Sequence, residues 1–340
     1  MRNKVEPITP NELTPEAKAS MKTRIISAIV ASIIILPSLL LGSYFAVAIV
    51  AFFTIVGTYE VVHCAKKKYN PALYIVAIIL ALSMTYWPIL ASLPTYFASG
   101  KEAAWTLYTA FEDIKISILV LALGAFGLFF MVIIDKGFTV RDACFMFTMI
   151  MIITLGFQSA LYVRYLPSRY YHEFIHSSEG FFNLYDNLES SILFAYVLVA
   201  TFMTDIGAYF VGVFFGKHKM NPRISPKKTW EGFFGGVIIS SLCSFAFAMI
   251  FLLTKHPLVI GLLDLDHWYL VLILSFLLPF VATLGDFVFS SAKRHFDIKD
   301  FGNIMPGHGG ILDRLDSVIF AMITTAVFLE MVEYWGRFIK

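Results

Sequence analysis

Long apolar segments separated by short polar ones set the pattern of this chain. Nine segments are apolar over a length that would cross the hydrocarbon core of a bilayer, for which a helix needs about 20 residues. They lie near residues 24–41, 44–63, 72–96, 115–134, 143–163, 191–215, 233–254, 268–290 and 317–336. The pattern predicts an all-α, polytopic integral membrane bundle of about nine transmembrane helices.

The polar segments predict how the chain is organised. Residues 1–23 are polar and contain prolines, and we expect a cytoplasmic N-terminal tail there. Residues 24–340 show no internal repeat and no soluble segment, so we expect a single transmembrane domain. Its charged segments 216–232 and 291–316 are the two candidate functional loops, and 164–190 is the longest predicted loop on the outer side.

Composition and charge narrow the class of protein. The chain is 58% hydrophobic and 16% aromatic with a mean hydropathy of +0.75, which excludes an ordinary soluble domain. Its net charge of +2 gives no reason to expect a nucleic-acid partner. Most of the lysines and arginines fall on the side of the N-terminus, so the positive-inside rule places both charged loops in the cytoplasm.

The segment 290–316 interrupts the apolar pattern most strongly. It holds four basic residues, four aspartates and a turn from Pro306 to Gly310 that contains three glycines. Such a turn is not regular helix, and it can present consecutive backbone N–H groups to an anion. Asp313 and Asp316 follow on one face of the next helix. Together these groups suit a phosphate ester bound through a divalent metal; the alternative is an ordinary solvated loop.

Two carboxylates lie in otherwise apolar segments, Asp205 and Asp286. At the centre of a membrane helix a carboxylate costs about 2.5–3.5 kcal/mol, so a functional role is the default interpretation. Near a helix end, snorkelling or an interhelical hydrogen bond is the alternative. Small residues recur every fourth position at 208, 212 and 216, which predicts close helix packing beside Asp205.

The segment 216–232 is the second candidate site. Ser225 followed by Pro226 predicts a helix start, with the serine as N-cap and the proline at the first position. Lys227 and Lys228 would then occupy the first turn, where the helix dipole disfavours cations unless an anion docks there. The alternative is a basic loop that only attracts anionic lipid.

These residues carry a family resemblance. The segment from Ser290 to Asp316 closely resembles the signature of the phosphatidate cytidylyltransferases (CDP-diacylglycerol synthases), and residues 225–232 resemble a second motif of that family. The signature positions are Ser290, Lys293, Arg294, Lys299, Asp300, Gly302, Pro306, His308, Gly309, Gly310, Asp313, Arg314, Leu315 and Asp316. Ala292 and Met305 replace larger or branched aliphatic residues of the pattern, at positions that serve packing.

The resemblance implies an activity and its requirements. It implies transfer of a cytidylyl group from CTP to phosphatidate, which gives CDP-diacylglycerol and diphosphate for phospholipid biosynthesis. It also implies that Asp286 and Asp313 hold magnesium, alone or with a second cation. We expect a homodimer embedded in the lipid of a bacterial cell (inner) membrane.

Roles for single residues follow from the motifs and the resemblance. Catalytic roles are expected for Lys293, Arg294, Asp313, Arg314 and Asp316. Substrate binding is expected for Ser225, Lys227, Lys228, Ser290, Lys299, Asp300, His308, Gly309 and Gly310, with His308 donating to a phosphate and Asp205 in a supporting role. Two alternatives stay open: another CTP-using lipid enzyme, such as a polyprenol or phytol kinase or a cytidylyltransferase for a different lipid phosphate, and a transporter of an anionic solute.

Overall fold

Helices make up nearly all of the described part of the chain. A computed structural model describes residues 43–91, 116–175, 184–305 and 309–339. The helices are α1 Ser43–His63, α2 Pro71–Thr85, α3 Ile118–Ile134, α4 Val140–Ile175, α5 Leu184–Phe215, α6 Trp230–Leu253, α7 Trp268–His295 and α8 Leu312–Ile339. Between α5 and α6, strands β1 Lys219–Asn221 and β2 Ser225–Thr229 pair in an antiparallel hairpin.

The predicted helical bundle is confirmed, although its number of membrane spans is not. Six helices, α1 and α4 to α8, are long and apolar enough to cross a membrane. Helices α2 and α3 are also apolar but have only 15 and 17 residues. The first predicted span, 24–41, lies outside the described residues.

Two large clusters of buried apolar side chains and a small one around Ala46, Leu161 and Tyr165 form the core of the described residues, and α4 contributes to all three. The first cluster joins α1 to α4 with parts of α7 and α8, and it includes Val61, Leu73, Leu128, Ile150 and Phe289. The second joins the other half of α4 to α5 through α8, and it includes Tyr162, Tyr196, Ala248, Leu274 and Met322. Because α4 has 36 residues and runs through both large clusters, it fixes the N-terminal helices against the C-terminal ones.

Helices α5 and α6 approach each other closely at their glycines, as the small-residue spacing predicts. A Cβ atom added at Gly232 would lie 2.7 Å from the carbonyl oxygen of Ala208, and one at Gly236 would lie 2.8 Å from that of Thr204. A side chain at Gly216 would collide with Thr229. This contact sets the base of the hairpin close to Asp205 on α5.

The prediction of a helix start at Ser225 is wrong. Residues 225–229 form strand β2, and α6 begins at Trp230 with Thr229 as its N-cap, whose Oγ1 accepts a hydrogen bond from the Gly232 amide at 3.2 Å. Ser225 and Thr229 are both residue types that cap helices, and the residue that caps α6 is Thr229. This choice keeps Lys227 and Lys228 out of a first helical turn that would repel them, and a proline is tolerated in a two-stranded hairpin, where both strands are edges.

The predicted outer loop 164–190 is also wrong at both of its ends, since α5 already begins at Leu184. Helix α4 continues through Pro167 to Ile175, and Arg164 is only 2% exposed. The predicted span ended at this first charge, but Tyr165 and Leu166 are buried as well and extend the apolar face. A single arginine is therefore accommodated inside the bundle and does not end the helix.

We expect Gly236→Val to destabilise the protein, because its side chain would press on the Thr204 carbonyl and the Ala208 methyl group. Overpacking of this kind costs about 1–3 kcal/mol. The measurement is the midpoint of thermal unfolding in detergent, and Ala246→Val, at an exposed position of the same helix, is the control. Equal midpoints for the two variants would show that this helix contact is not tight.

Candidate active site

The two motif segments lie against each other at one end of the bundle. Arg294, near the end of α7, donates from Nε to the carbonyl of Ile224 in the hairpin at 3.3 Å. Its Nη1 donates to the carbonyl of Ile298 in the following loop at 2.9 Å. Arg294 therefore links the hairpin to the signature segment through backbone carbonyls.

A buried ion pair joins α7 to α8. Lys293 Nζ lies 2.8 Å from Asp313 Oδ1, and the two side chains are 10% and 3% exposed. The second carboxylate oxygen of Asp313 accepts the amides of Phe301 at 2.8 Å and Gly310 at 2.9 Å. The negative charge of Asp313 is thus matched by one ammonium group and two backbone dipoles, and all three hold the intervening loop in place.

A second ion pair joins the hairpin to α7, in less buried surroundings. Lys228 on β2 pairs with Oδ2 of Asp286, with side chains 27% and 25% exposed. Asp286 Oδ1 accepts a hydrogen bond from Ser290 at 3.0 Å, one helical turn further on. The Lys228 ammonium also lies 4.7 Å from the ring centre of Phe287. The prediction that both motifs contribute to one site is consistent with this contact.

Two further carboxylates lie close to this pair. Asp205 on α5 interacts electrostatically with Lys228, Asp286 and Arg314. Asp316, one turn into α8, is buried, accepts the Ser317 amide at 2.8 Å, and interacts with Asp286 and Asp205. Helices α5, α7 and α8 thus each bring a carboxylate to the same region.

A cavity of about 440 Å³ opens beside these charges, between α5, the hairpin and α6. One part of its wall is polar and cationic and the other is apolar, since it also borders the membrane-spanning helices. Its lining comprises Asp205, Ala208, Tyr209, Gly212, Val213, Lys219, Met220, Lys227, Lys228, Thr229, Gly232, Phe233 and Thr283. This combination suits a ligand with an anionic head and an apolar body.

Comparison with known proteins now identifies the family. A sequence model of the Cytidylyltransferase family matches residues 22–332. The chain belongs to this family. A phosphatidate cytidylyltransferase of Staphylococcus epidermidis is 33% identical over 306 residues, which are 89% of this chain and 96% of the relative. A protein of the same name from Bacillus subtilis is 48% identical over 127 residues, which are 37% of this chain and 43% of the relative. Another from Mycobacterium leprae is 41% identical over 136 residues, which are 40% of each chain.

Other predicted site residues of this cytidylyltransferase lie in the loop between α7 and α8. Asp300 lines a second cavity of about 440 Å³ between that loop and the end of α1. Gly309 has φ of +87°, which favours glycine, and a Cβ there would lie 3.0 Å from Asp313. Lys299 precedes Asp300 in the same loop, and Arg314 is exposed in the first turn of α8. His308 lies outside the described residues.

Cys64, on the wall of this second cavity, is not a nucleophile. Burial of its side chain raises the pKa of the thiol to about 12. The thiol therefore stays protonated at neutral pH, where only the thiolate reacts readily.

Sequence reasoning missed Glu60. This residue of α1 is 1% exposed, and its two carboxylate oxygens accept the amides of Ile311 and Leu312, each at 2.9 Å. The signal was the one that identified Asp205 and Asp286, a carboxylate inside an apolar segment. It was overlooked because its partners lie more than 250 positions away in the sequence.

The last residue of the glycine turn, Gly310, and the two residues after it use their N–H groups inside the protein. The amides of Gly310, Ile311 and Leu312 all donate to carboxylates, the first to Asp313 and the others to Glu60. An anionic substrate at these three amides would have to displace a protein carboxylate. The cationic hairpin is the more accessible place for phosphate.

The carboxylates fit a magnesium ion that shares its ligands with a substrate. Among the described residues, no three histidine, cysteine or acidic side chains already form a metal centre. Magnesium is usually held by one or two protein carboxylates together with substrate phosphates and water, so a complete protein cage is not required. Asp286 fits this role because it is partly exposed and its present partners are one ammonium group and the hydroxyl of Ser290.

We expect Lys293→Met to lower the stability of the protein strongly. Removing one member of a buried pair leaves the other charge without compensation, at a cost of about 3–5 kcal/mol. The control is Lys67→Met, which removes a lysine that is 44% exposed from its pair with Asp142, whose 9% exposed carboxylate keeps hydrogen bonds from the amide and hydroxyl of Thr139. Loss of this partly exposed pair should cost less, because pairs at the surface contribute about 0–1 kcal/mol. Denaturant unfolding in detergent measures both, and equal losses would contradict a special role for the Lys293 pair.

Proposed function

We propose that this chain transfers the cytidylyl group of CTP to phosphatidate and so produces CDP-diacylglycerol and diphosphate. Its relatives that align over 89% of the chain bear the name phosphatidate cytidylyltransferase. The signature residues of this activity gather around two ion pairs at one end of the helical bundle. This reaction accounts for a cationic site placed against membrane-spanning helices.

The single observation that carries the proposal is the two-sided cavity. Its lysines, Lys219, Lys227 and Lys228, suit phosphate groups, whereas Tyr209 and Phe233 offer an apolar wall. Phosphatidate has the same two-sided character, with a phosphate monoester on a diacylglycerol. The acyl chains remain among the helices while the phosphate reaches the lysines.

The reaction does not need a strong general base from the protein. The phosphate monoester of phosphatidate is already ionised near pH 7, so its oxygen attacks the α-phosphorus of CTP without a strong base. A new P–O bond forms, the bond between the α- and β-phosphates breaks, and diphosphate leaves with the electron pair. The main requirement is to place two mutually repelling anions in line and to neutralise their charge.

The basic residues supply that neutralisation. Lys227 and Lys228 hold phosphate oxygens at the hairpin, and Arg314 contributes a further cation at the start of α8. Lys293 and Arg294 act mainly through the positions they fix, since Lys293 is bonded to Asp313 and Arg294 to two backbone carbonyls. Ser225, Ser290, Lys299, Asp300, His308, Gly309 and Gly310 stay assigned to the substrate site.

Magnesium is the proposed cofactor, with Asp286 and Asp313 as its protein ligands. When bound, the ion would neutralise the nucleotide phosphates and polarise the α-phosphorus. Asp286 is the more accessible of the two carboxylates, and Asp313 would have to share an oxygen with its present donors. Asp205 and Asp316 offer additional carboxylates for a second cation.

The proposed membrane arrangement has nine spans. It adds the shorter helices α2 and α3 and the segment 24–41 to the six long apolar helices. Basic residues concentrate in the tail, at Lys66–Lys68 and in the two motif segments, which supports a cytoplasmic N-terminus and active site. A homodimer in a bacterial inner membrane completes the proposal, on the basis of the family resemblance.

We expect purified protein in detergent to transfer label from α-labelled CTP, but not from γ-labelled CTP, into phosphatidate. Transfer should stop when magnesium is chelated and resume when it is restored. Asp286→Asn should reduce kcat/KM by about 100-fold or more, the scale of losing one electrostatic contact in a transition state. Asp266→Asn, an exposed carboxylate elsewhere, should retain full activity and serves as the control.

Other outcomes would point to different functions. Lipid labelled from the γ-phosphate would identify a kinase. Label from the α-phosphate that appears only with another lipid phosphate would change the substrate. No labelled lipid from folded protein, together with flux of an anionic solute in proteoliposomes, would identify a transporter.

A further inference from the structure

We infer that Glu60 is a positioning residue for Asp313, an inference that rests on the function proposed above. Glu60 is a buried carboxylate on α1 that borders the second cavity together with Asp300, and it does not line the cavity beside the hairpin lysines. It is bonded to the start of α8, immediately before Asp313. Nothing in the proposed chemistry requires a carboxylate at this place, and its bonds explain what it does there.

Three consecutive amides at the start of α8 are shared between two carboxylates. A helix begins with N–H groups that have no partner within the helix and that carry partial positive charge. At the start of α8, Asp313 takes the amide of Gly310, and Glu60 takes those of Ile311 and Leu312. Glu60 therefore satisfies the buried amides that Asp313 does not reach.

The Glu60 carboxylate packs closely against two glycines, Gly302 and Gly310. A Cβ atom at Gly302 would lie 2.5 Å from its Oε1, and one at Gly310 would lie 2.7 Å from its Oε2. These glycines adjoin the backbone that bonds Asp313, since Phe301 and Gly310 are its amide donors. Glu60 and Asp313 thus hold the same two short segments, each from a different side.

The position of Glu60 requires a side chain with two acceptor oxygens. Both Glu60 oxygens accept hydrogen bonds, whereas a glutamine at this position would have one acceptor and would turn an N–H group toward an amide donor. Burial of a carboxylate is costly unless such bonds compensate it. The end of α1 makes a further link, because Lys66 Nζ donates to the carbonyl of Asp297 at 3.2 Å. Helix α1 is therefore a support for the signature loop.

The kinetic test compares Glu60→Ala and Glu60→Gln with Thr54→Val. Thr54 is a buried polar residue of the same helix that bonds only to the Val50 carbonyl, so its variant controls for disturbance of α1. We expect kcat for cytidylyl transfer to fall about 100-fold in Glu60→Ala, the effect expected of a misplacement of about 1 Å. Glu60→Gln should lie between it and the wild type. The KM values for CTP and phosphatidate should stay within about threefold, because Glu60 is only 1% exposed and both of its oxygens are already bonded to backbone amides.

A double-mutant cycle tests whether kcat depends on the position of the Glu60 carboxylate and not only on its charge. Gly302→Ala keeps Glu60 but pushes a methyl group against its carboxylate, so kcat should fall. In the Glu60→Ala background the space is open, and Gly302→Ala should add little further loss. Additive losses would overturn the inference. So would a kcat within twofold of wild type in folded Glu60→Ala, or a loss that appears mainly in KM.

A readout without catalysis keeps this inference separate from the proposed function. Hydrogen exchange of the peptide that contains residues 309–315 should accelerate in Glu60→Ala and stay unchanged in Thr54→Val. Unchanged exchange in folded Glu60→Ala would overturn the support by Glu60, whatever the activity. If the wild type makes no CDP-diacylglycerol but the exchange responds as expected, the proposed function fails while the contact between Glu60 and the turn stands.

Discussion

The interaction on which the site depends is the buried ion pair of Lys293 and Asp313. Both side chains are almost entirely removed from solvent, where an unpaired charge would be strongly destabilising. Asp313 also accepts the amides of Phe301 and Gly310, so the pair holds the loop between α7 and α8 as well as the two helices. This loop has little regular structure of its own. Its shape follows from the requirement that the buried charges and amides find partners.

The second ion pair, between Lys228 and Asp286, has a different character. A quarter of each side chain is exposed, and Lys228 lines the cavity. Exchanging partners costs less here than in the Lys293 pair, because water reaches these charges more easily. A substrate phosphate can therefore take Lys228 while a cation takes Asp286. The buried pair fixes the geometry, and the exposed pair is the one that can respond to ligands. This difference supports the proposal that magnesium would contact Asp286 more directly than Asp313.

The parts of the site that were predictable from sequence are those with rare chemistry in an apolar chain. Asp205, Asp286 and the lysines of the signature stand out because charges in membrane helices need a reason. Contacts between distant segments were not predictable. Glu60 bonds amides that no local pattern links to it, and the helix start moved from Ser225 to Thr229 because two capping signals competed. The predicted end of α4 before Arg164 was wrong, because the apolar residues beyond this charge continue the helix.

The two neighbouring lysines of the hairpin, Lys227 and Lys228, have different surroundings. In a helix, Lys227 and Lys228 would both repel the dipole of the first turn. In strand β2, successive side chains point to opposite faces. Lys228 is partly buried and meets Asp286 and the ring of Phe287, whereas Lys227 is exposed at the cavity. Without a ligand, Lys228 thus attaches the hairpin to the bundle, and both lysines line the cavity that a ligand would enter. Thr229 then turns the chain into α6, where the glycines that face α5 keep both lysines close to Asp205.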